Sequence, residues 1–326
     1  MKTKVLKCTI LTAITLFILA SCYKEIEFNI QPGADKIVVN GLINNLDILS
    51  VTVTKSFPST GDITVDEVKT ANVSIYENGV FIENMKYRKY ETDPVGKFMA
   101  DFIPVPDKNY SIIVSDDIMG EVQANTSIPE PVGISDYSAE LTDWGKDGWN
   151  RPRRYRFSFT LHDPKQKNYY FLRIFMKIYL KETGIDSTKV LTYMNGEVLS
   201  SSMPEQMKYV YGGLLFSDMA FNGSDHIISG TATLQDTSLV VNALTGVDAE
   251  PGDVIMDIDR LYLQLEVLSE ETYRFYKSHG KVLRIVKYSS NYSYKELSPV
   301  FENIEDGLGI FGGLNRKIIS TWVGGY

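Results

Sequence analysis

The residues best suited to bind another molecule are two tryptophans and two arginines near the middle of the chain. Trp144 and Trp149 lie in a polar stretch that contains glycine, and Arg154 and Arg156 follow it closely. Exposed aromatic rings beside guanidinium groups can bind a sugar ring, a peptide or a protein partner. Alternatively, the tryptophans fold back as loop anchors and the arginines line the solvent side of a strand. These four residues are our candidate binding surface.

The segment Gly307–Gly312 satisfies the letters of the dinucleotide-binding motif G-x-G-x-x-G. That motif functions between a strand and a helix of a βαβ unit, because the helix N-terminus binds the pyrophosphate. Gly313 follows where such a helix would begin, so the spacing favours a tight closing loop beside the core. We expect no nucleotide and no other cofactor.

No other group of residues has the spacing of a catalytic or metal site. The chain has three histidines, which are far apart and share no ligand spacing: His162, His226 and His279. No serine lies in a nucleophile-elbow motif. A surface hydrolase would need a clustered acid–base pair, which the sequence does not reveal. The sequence therefore predicts no catalytic residue, no metal and no enzymatic activity.

The start of the chain has the features of a bacterial lipoprotein signal peptide. Three lysines precede the apolar run Thr9–Ala20, which is too short to span a bilayer. The run ends in Leu19-Ala20-Ser21-Cys22, where small side chains permit cleavage and the thiol can accept lipid. We predict that residues 1–21 are removed and that acyl chains on Cys22 hold the protein at a membrane. An ordinary secretory signal is the alternative.

Composition restricts what the rest of the chain can be. The net charge is −8, and removal of the signal peptide takes away three lysines and no acid. An acidic body argues against nucleic-acid binding, which requires a basic face. Neither Cys8, which leaves with the signal peptide, nor Cys22 is available for a disulfide. Twenty tyrosines and fifteen phenylalanines favour strands over helices, so we predict a mainly β fold.

Turn and breaker residues divide the first half of the mature chain. Residues 22–34 are a polar tether whose early charges resemble a surface-export signal, although a solvated linker would look similar. Residues 35–131 alternate in short runs with close turns, such as Asn78-Gly79, and predict an immunoglobulin-like β-sandwich. Pro129 and Pro131 then mark a domain boundary, because prolines cannot join a central ladder.

Residues 132–326 predict a β-rich C-terminal domain with one helix. We expect the turn of a β-hairpin at Leu161–Pro164 and a strand at Asp259–Val267, whose leucines share one face. Ser269 is a candidate N-cap for a helix near residues 269–286, and two glutamates follow it in the first turn.

Two further segments of this domain show no clear periodicity. Residues 182–212 are polar and permit no assignment. Leu308–Tyr326 is rich in glycine, and we expect it to close the domain with little regular structure.

Five segments of the chain carry the features of one family. They are Ile37–Ile43, Ala71–Gly79, Phe216–Gly223, Ser269–Tyr276 and Ser298–Phe311. In this order they resemble the lipoproteins of the domain of unknown function 4249, and the resemblance covers nearly the whole mature chain. Asn40 departs from the family pattern, in which most members would have a glutamate.

The resemblance implies an outer-membrane lipoprotein at the surface of Gram-negative bacteria, often encoded beside TonB-dependent transporters. It implies no activity and no catalytic residue. Our first hypothesis is a non-enzymatic accessory that binds such a transporter or a small ligand, either a glycan or a peptide. The second is a structural or adhesive surface protein, such as a pilus or matrix component, which would have to self-assemble.

Overall fold

The computed structural model describes eleven segments of the chain, and Asp35–Tyr326 form one compact unit. The described residues are 35–56, 65–91, 93–143, 153–181, 188–193, 196–200, 208–210, 213–234, 254–256, 260–288 and 299–323. The predicted signal peptide and tether lie outside these residues, as do Cys22, Trp144 and Trp149, so those assignments stay predictions.

The described residues form nineteen strands and one helix, which confirms the predicted mainly β fold. The strands before Pro129 are β1 (Ile37–Asn44), β2 (Ser50–Lys55), β3 (Asn72–Glu77), β4 (Val80–Asn84), β5 (Lys86–Arg88), β6 (Lys97–Met99), β7 (Lys108–Asp116) and β8 (Gly120–Ile128). The later strands are β9 (Gly133–Asp143), β10 (Arg153–His162), β11 (Tyr169–Lys181), β12 (Thr188–Tyr193), β13 (Gly196–Ser200), β14 (Lys208–Val210), β15 (Gly213–Ser217), β16 (Asp225–Leu234), β17 (Val254–Met256), β18 (Arg260–Leu268) and β19 (Leu308–Trp322). The helix is α1 (Glu270–Tyr288).

The strands are arranged in three sheets. The largest has eleven strands, with the order β14-β15-β11-β18-β19-β1-β2-β6-β5, and β12 and β17 also pair with β11. The two four-stranded sheets have the orders β13-β16-β10-β9 and β4-β3-β7-β8. Each small sheet packs on a different half of the large one, as the shared core clusters show. This layout is consistent with the predicted sandwich.

The first core lies between the β1–β2–β6 part of the large sheet and the sheet of β3, β7 and β8. Alternate residues of these strands are buried, because a pleated strand with one buried face repeats every two residues. The core is mostly aliphatic, with Val39, Val73 and Val114 fully buried. The predicted hairpin turn is confirmed, since Asn78 and Gly79 have φ angles of 49° and 79°.

The second core lies between β11, β18 and the sheet of β10 and β16. As predicted, Leu261, Leu263 and Leu265 share one face of β18, and this face is buried in the second core. Helix α1 packs on the opposite face of the large sheet, where the Tyr169 and Tyr273 rings stack with centroids 4.2 Å apart. Strand β18 is therefore buried on both faces.

The β-hairpin predicted around Leu161–Pro164 is wrong. Strand β10 pairs with β9 and β16, whereas β11 pairs with β15 and β18 in the large sheet. Both strands are rich in large apolar side chains, and these meet across the second core instead of side by side in one sheet. The segment after β10 therefore carries the chain from one sheet to the other.

The expectation of little regular structure in Leu308–Tyr326 is also wrong. Most of this segment is β19, which pairs in parallel with β1 and antiparallel with β18. Its glycines permit very close packing of backbones. A Cβ atom on Gly309 would lie 2.1 Å from the Val39 carbonyl oxygen, and one on Gly313 would lie 2.0 Å from the Ser127 oxygen. The glycine motif thus belongs to a strand that connects the two cores.

The predicted N-cap of α1 is confirmed. The Thr272 backbone N–H donates to Ser269 Oγ at 3.3 Å, and the Thr272 hydroxyl donates to the Gly313 carbonyl at 3.0 Å. These contacts fix the start of the helix against β19. No helix within the described segments is long and apolar enough to cross a bilayer. The domain boundary predicted at Pro129–Pro131 stays a prediction. The residues of the first core precede it, apart from Ile304 and Phe311, and those of the second core follow it.

Candidate functional site: the outer face of strands β9, β10 and β16

Strand β10 presents a column of polar side chains to solvent. Its apolar residues point into the second core and include Tyr155, Phe157 and Phe159, each about 1% exposed. The intervening side chains lie on the other side of the sheet and are exposed or half-buried: Arg154, Arg156, Ser158, Thr160 and His162. We call the solvent side of β9, β10 and β16 the outer face.

The neighbouring strands extend this column into a surface of hydroxyl groups. On β16, the side chains opposite the column are those of Thr233, Thr231, Ser229, Ile227 and Asp225. On β9, they include Glu140, Ser138 and Ser135. Hydroxyl groups can both donate and accept hydrogen bonds, and guanidinium groups are strong donors. The outer face therefore presents hydrogen-bond donors and acceptors along three adjacent strands.

Arg154 and Arg156 lie at one end of the outer face, shortly after residues 144–152 in the sequence, which are outside the described residues. Both Arg154 and Arg156 are exposed, in agreement with the interpretation that they line the solvent side of a strand. Arg156 Nη1 lies 2.5 Å from Glu140 Oε1, and both side chains remain more than half exposed. The Thr142 hydroxyl donates to the Arg154 carbonyl at 3.1 Å. Their binding role stays a prediction.

The opposite end of the outer face brings together three residues that the sequence analysis did not connect. Ser135 Oγ lies 2.9 Å from His162 Nε2, and His162 Nδ1 lies 2.8 Å from Asp225 Oδ1. These residues come from three adjacent strands, 27 and 63 positions apart along the chain. The register of β9, β10 and β16 aligns them, and that register is not visible in local spacing.

A bulge in β9 shapes this end of the face. Asp136 has a φ of 54°, a left-handed conformation that Asp and Asn tolerate better than most residues. Its carboxylate accepts hydrogen bonds from the Ser135 hydroxyl at 2.8 Å and the Thr160 hydroxyl at 3.2 Å. The pairing register between β9 and β10 shifts at the same place. The bulge therefore positions Ser135 beside the imidazole.

Two buried aspartates anchor the segments that support the outer face. Asp163, directly after β10, accepts hydrogen bonds from the Tyr170 hydroxyl and from the Gly223 backbone N–H. Asp218 accepts a hydrogen bond from the Asn168 backbone N–H at 2.5 Å. Burial, aided by the charge of Asp163, raises the pKa of Asp218. Because protein groups occupy these carboxylates, they are structural anchors instead of a site for a ligand.

The other two histidines do not join the cluster at His162. The His226 ring stacks on Phe221 with centroids 4.4 Å apart, beside the second core. His279 lies on α1, where burial lowers its pKa. Among the residues that the structure describes, no three His, Cys, Asp or Glu side chains are grouped so that they could hold a metal ion.

Comparison with known proteins identifies a family. The model of the domain of unknown function DUF4249 matches residues 23–318. No curated protein matches the chain. A solved structure described as "Biofilm associated protein - BSP domain" is similar over 92% of this chain and 61% of that one, with 8% identity and a TM-score of 0.18. Another, "Biofilm associated protein - B domain", is similar over 86% and 85%, with 8% identity and a TM-score of 0.16.

The chain spans less than two thirds of the length of the first of these structures. Both TM-scores are too low to indicate a shared fold. The family match and the geometry of the outer face are therefore the observations from which a function can be argued.

Proposed function

The chain belongs to the family of the domain of unknown function DUF4249, and we propose that it is a lipid-anchored accessory protein of the bacterial outer membrane. In this proposal, acyl chains on Cys22 hold the acidic body at the cell surface. The body binds a TonB-dependent transporter, or a glycan or peptide that such a transporter imports. The protein supplies binding, and the transporter supplies movement across the membrane.

The outer face is the observation that carries this proposal. The aromatic side chains of β10 are buried in the second core, and the opposite side of the same strand presents guanidinium and hydroxyl groups in a row. Rigid elements position binding groups more accurately than loops do. Sugar hydroxyls and peptide amides pair with such groups, and aromatic residues at 144 and 149 would add stacking surface at one end.

A capture experiment tests the proposed binding role. The full-length protein, tagged at its C-terminus, is purified from native outer membranes in mild detergent, and co-purifying proteins are identified by mass spectrometry. We expect a TonB-dependent transporter to be enriched. The quadruple variant Trp144→Ala, Trp149→Ala, Arg154→Ala and Arg156→Ala should reduce its recovery at least tenfold, a loss of about 1.4 kcal/mol of binding free energy.

A matched control is available on β5, at the edge of the large sheet beside the first core. Arg88 is exposed on β5 and lies 3.6 Å from Asp101, much as Arg156 pairs with Glu140. Arg88→Ala should leave transporter recovery unchanged. If no transporter is recovered with the unaltered protein, or if the quadruple variant captures it equally well, the proposed role of the outer face is wrong.

The anchor is tested separately by the mass of the N-terminal peptide. We expect native protein to begin at Cys22 and to carry the mass of attached acyl chains. Cys22→Ser should abolish this modification and release the protein from the membrane fraction. An unmodified residue 22, or an intact leader in the native protein, would contradict the membrane role while leaving the outer face to be tested by capture.

A structural or adhesive role is the alternative, and strand β4 gives it specific support. This edge strand exposes Val80, Phe81 and Ile82 by 64%, 51% and 43% of their surface. Exposed apolar edge strands can pair with a second chain. Self-assembly would make the mass measured by light scattering increase with protein concentration. In Phe81→Lys, the mass should stay that of a monomer at every concentration. A constant monomeric mass would favour the accessory role.

A further inference from the structure

The cluster at the end of the outer face has the geometry of an activated nucleophile. Ser135 Oγ lies 2.9 Å from His162 Nε2, and His162 Nδ1 lies 2.8 Å from the Asp225 carboxylate, so the three groups stand in one row within hydrogen-bond distance. A nucleophile within hydrogen-bond distance of a base, with a third group orienting that base, is the shared arrangement of serine hydrolases on unrelated folds. The clustered acid–base pair that a surface hydrolase would need is thus present, although the sequence did not reveal it.

The directions of the hydrogen bonds follow from the chemistry of each group. An ionised carboxylate only accepts, so Asp225 requires the proton of the neutral imidazole to be on Nδ1. Nε2 then carries no proton and can accept from the Ser135 hydroxyl when that hydroxyl turns away from Asp136. Gly133 lies opposite His162 in the register, and a Cβ there would come within 3.0 Å of the imidazole. The absence of a side chain at position 133 leaves the ring room to hold this orientation.

We propose that Ser135 is the nucleophile of an acyl-transfer site that acts on carboxylic esters presented at the protein surface. The Ser135 oxygen bonds to the ester carbonyl carbon while its proton passes to His162 Nε2. The alcohol leaves with that proton as the ester C–O bond breaks. Water then adds to the acyl carbon as His162 Nε2 takes its proton. The bond between this carbon and Ser135 Oγ breaks, which releases the carboxylic acid and returns the proton to Ser135. This activity goes beyond the binding role proposed above and does not depend on it.

Asp136 sets the reactivity of this serine. The Ser135 hydroxyl has one proton and two acceptors within reach, His162 Nε2 and the Asp136 carboxylate at 2.8 Å. Only the hydrogen bond to His162 leads to proton transfer. In Asp136→Asn, the amide can instead donate to Ser135 Oγ, which leaves the hydroxyl proton for the imidazole. Asn also tolerates the left-handed backbone at this position. This substitution should therefore increase the reactivity of Ser135.

The experiment measures covalent labelling of the full-length, detergent-purified protein by a fluorophosphonate, with the labelled peptide located by mass spectrometry. We expect the unaltered protein to be labelled at Ser135 and to hydrolyse p-nitrophenyl acetate. Ser135→Ala should lose both the label at this position and the hydrolysis. His162→Gln should slow labelling about 100-fold, the lower end of general-base contributions, because the site is solvated. Asp225→Asn should slow it about tenfold, and Asp136→Asn should accelerate it several-fold.

Ser320 is the matched control, since it is an exposed serine on β19 in the large sheet and does not belong to the outer face. Ser320→Ala should label at Ser135 at the unaltered rate. Thermal unfolding of each variant shows whether a lost signal reflects unfolding. Because Ser135 and His162 are partly exposed and Asp225 is exposed, their replacement should change the midpoint little. Folded protein that labels no faster at Ser135 than at Ser320, or whose labelling rate is unchanged by His162→Gln, would overturn the proposal whatever the capture experiment shows.

Discussion

The two cores of this protein are built from different side chains, and the regions around them differ in whether they bury carboxylates. The first is mainly valine, isoleucine and alanine, whereas the second includes Tyr155, Phe157, Phe159, Tyr170, Phe216 and Phe221. The buried carboxylates of the described residues, Asp163, Asp218 and Glu266, all lie after Pro131. The region that supports the outer face is thus the one that keeps internal polar anchors. Packing of aliphatic side chains dominates the first core, and the second region combines aromatic packing with buried carboxylates.

Strand β19 joins these two regions, so the largest expected effect is a substitution that disturbs both. Gly309 has a φ of 105°, and a Cβ on it would meet the Val39 carbonyl oxygen at 2.1 Å. We expect Gly309→Ala to lower the free energy of unfolding by roughly 3–5 kcal/mol, measured by urea denaturation. Circular dichroism and tyrosine fluorescence should report one shared transition.

Gly120 is the control for this prediction. Its φ of 86° is also left-handed, but a Cβ there would have no atom within 4 Å. Gly120→Ala should cost only the backbone term, about 1–2 kcal/mol. Equal losses in the two variants would mean that the close approach of β19 to β1 does not matter. Separate transitions in Gly309→Ala would mean that the two regions fold independently.

A buried tyrosine hydroxyl in each region provides the next comparison. Tyr170 donates to Asp163, which also accepts from the Gly223 backbone, whereas Tyr110 donates to Glu77 and also accepts a hydrogen bond from the Val105 backbone N–H at 2.9 Å. Asp163→Ala strands two donors and should cost roughly 3 kcal/mol. Glu77→Ala leaves the Tyr110 hydroxyl the Val105 carbonyl as an acceptor at 3.5 Å, so it should cost about 1 kcal/mol.

Chemical denaturation of the two variants measures this difference, and a double-mutant cycle attributes it. Tyr170→Phe removes the donor, so Asp163→Ala should cost less in that background than in the unaltered protein. Additive losses would show that Asp163 acts through Gly223 alone. A larger loss from Glu77→Ala than from Asp163→Ala would reverse the comparison between the two regions.

The features that the sequence predicted correctly are local ones. The alternation of β1 and β18, the Asn78-Gly79 turn and the Ser269 cap depend on neighbouring residues, whose chemistry is visible in the order of the chain. The pairing of β19 with β1 joins residues about 270 positions apart, and it is set by packing that no local pattern encodes. The error at Leu161–Pro164 has the same origin.

The candidate site shows the same division between local and distant information. The exposure of Arg154 and Arg156 agrees with one of the two interpretations that the sequence left open, and both residues alternate with buried aromatic side chains along β10. The cluster of Ser135, His162 and Asp225 did not, because it depends on how three strands align. Conversely, the letters of the glycine motif were present, but Gly309 and Gly313 serve close backbone packing.

Acid titration separates the two regions through pKa shifts of opposite sign. Hydrogen bonds from Lys89 and Tyr87 lower the pKa of Glu67 from 4.5 to about 2. This carboxylate therefore stabilises the folded state above pH 4.5, and the contribution is lost as pH falls from 4.5 towards 2. Burial raises the pKa of Asp218 above 3.8, so its charge destabilises the folded state once pH rises through the raised value.

Urea midpoints measured between pH 7 and pH 3 test both signs. Glu67→Gln should be less stable than the unaltered protein at pH 7, and this deficit should shrink below pH 4.5. Asp218→Asn retains an oxygen that accepts from the Asn168 N–H, so it should be more stable at pH 7, and its advantage should shrink as pH falls. A deficit for Asp218→Asn that grows with pH would show that the ionised carboxylate stabilises the fold.

The smallest expected effect concerns the outer face itself. Arg156 and Glu140 are each more than 60% exposed, so water screens their attraction and holding two long side chains costs entropy. Arg156→Ala should change the free energy of unfolding by less than about 1 kcal/mol, whereas truncation of its buried neighbour in Phe157→Ala should cost about 3–5 kcal/mol. Calorimetry of both variants measures the contrast. A loss from Arg156→Ala as large as that from Phe157→Ala would mean that the outer face stabilises the second core, and its residues could not then be altered to test binding alone.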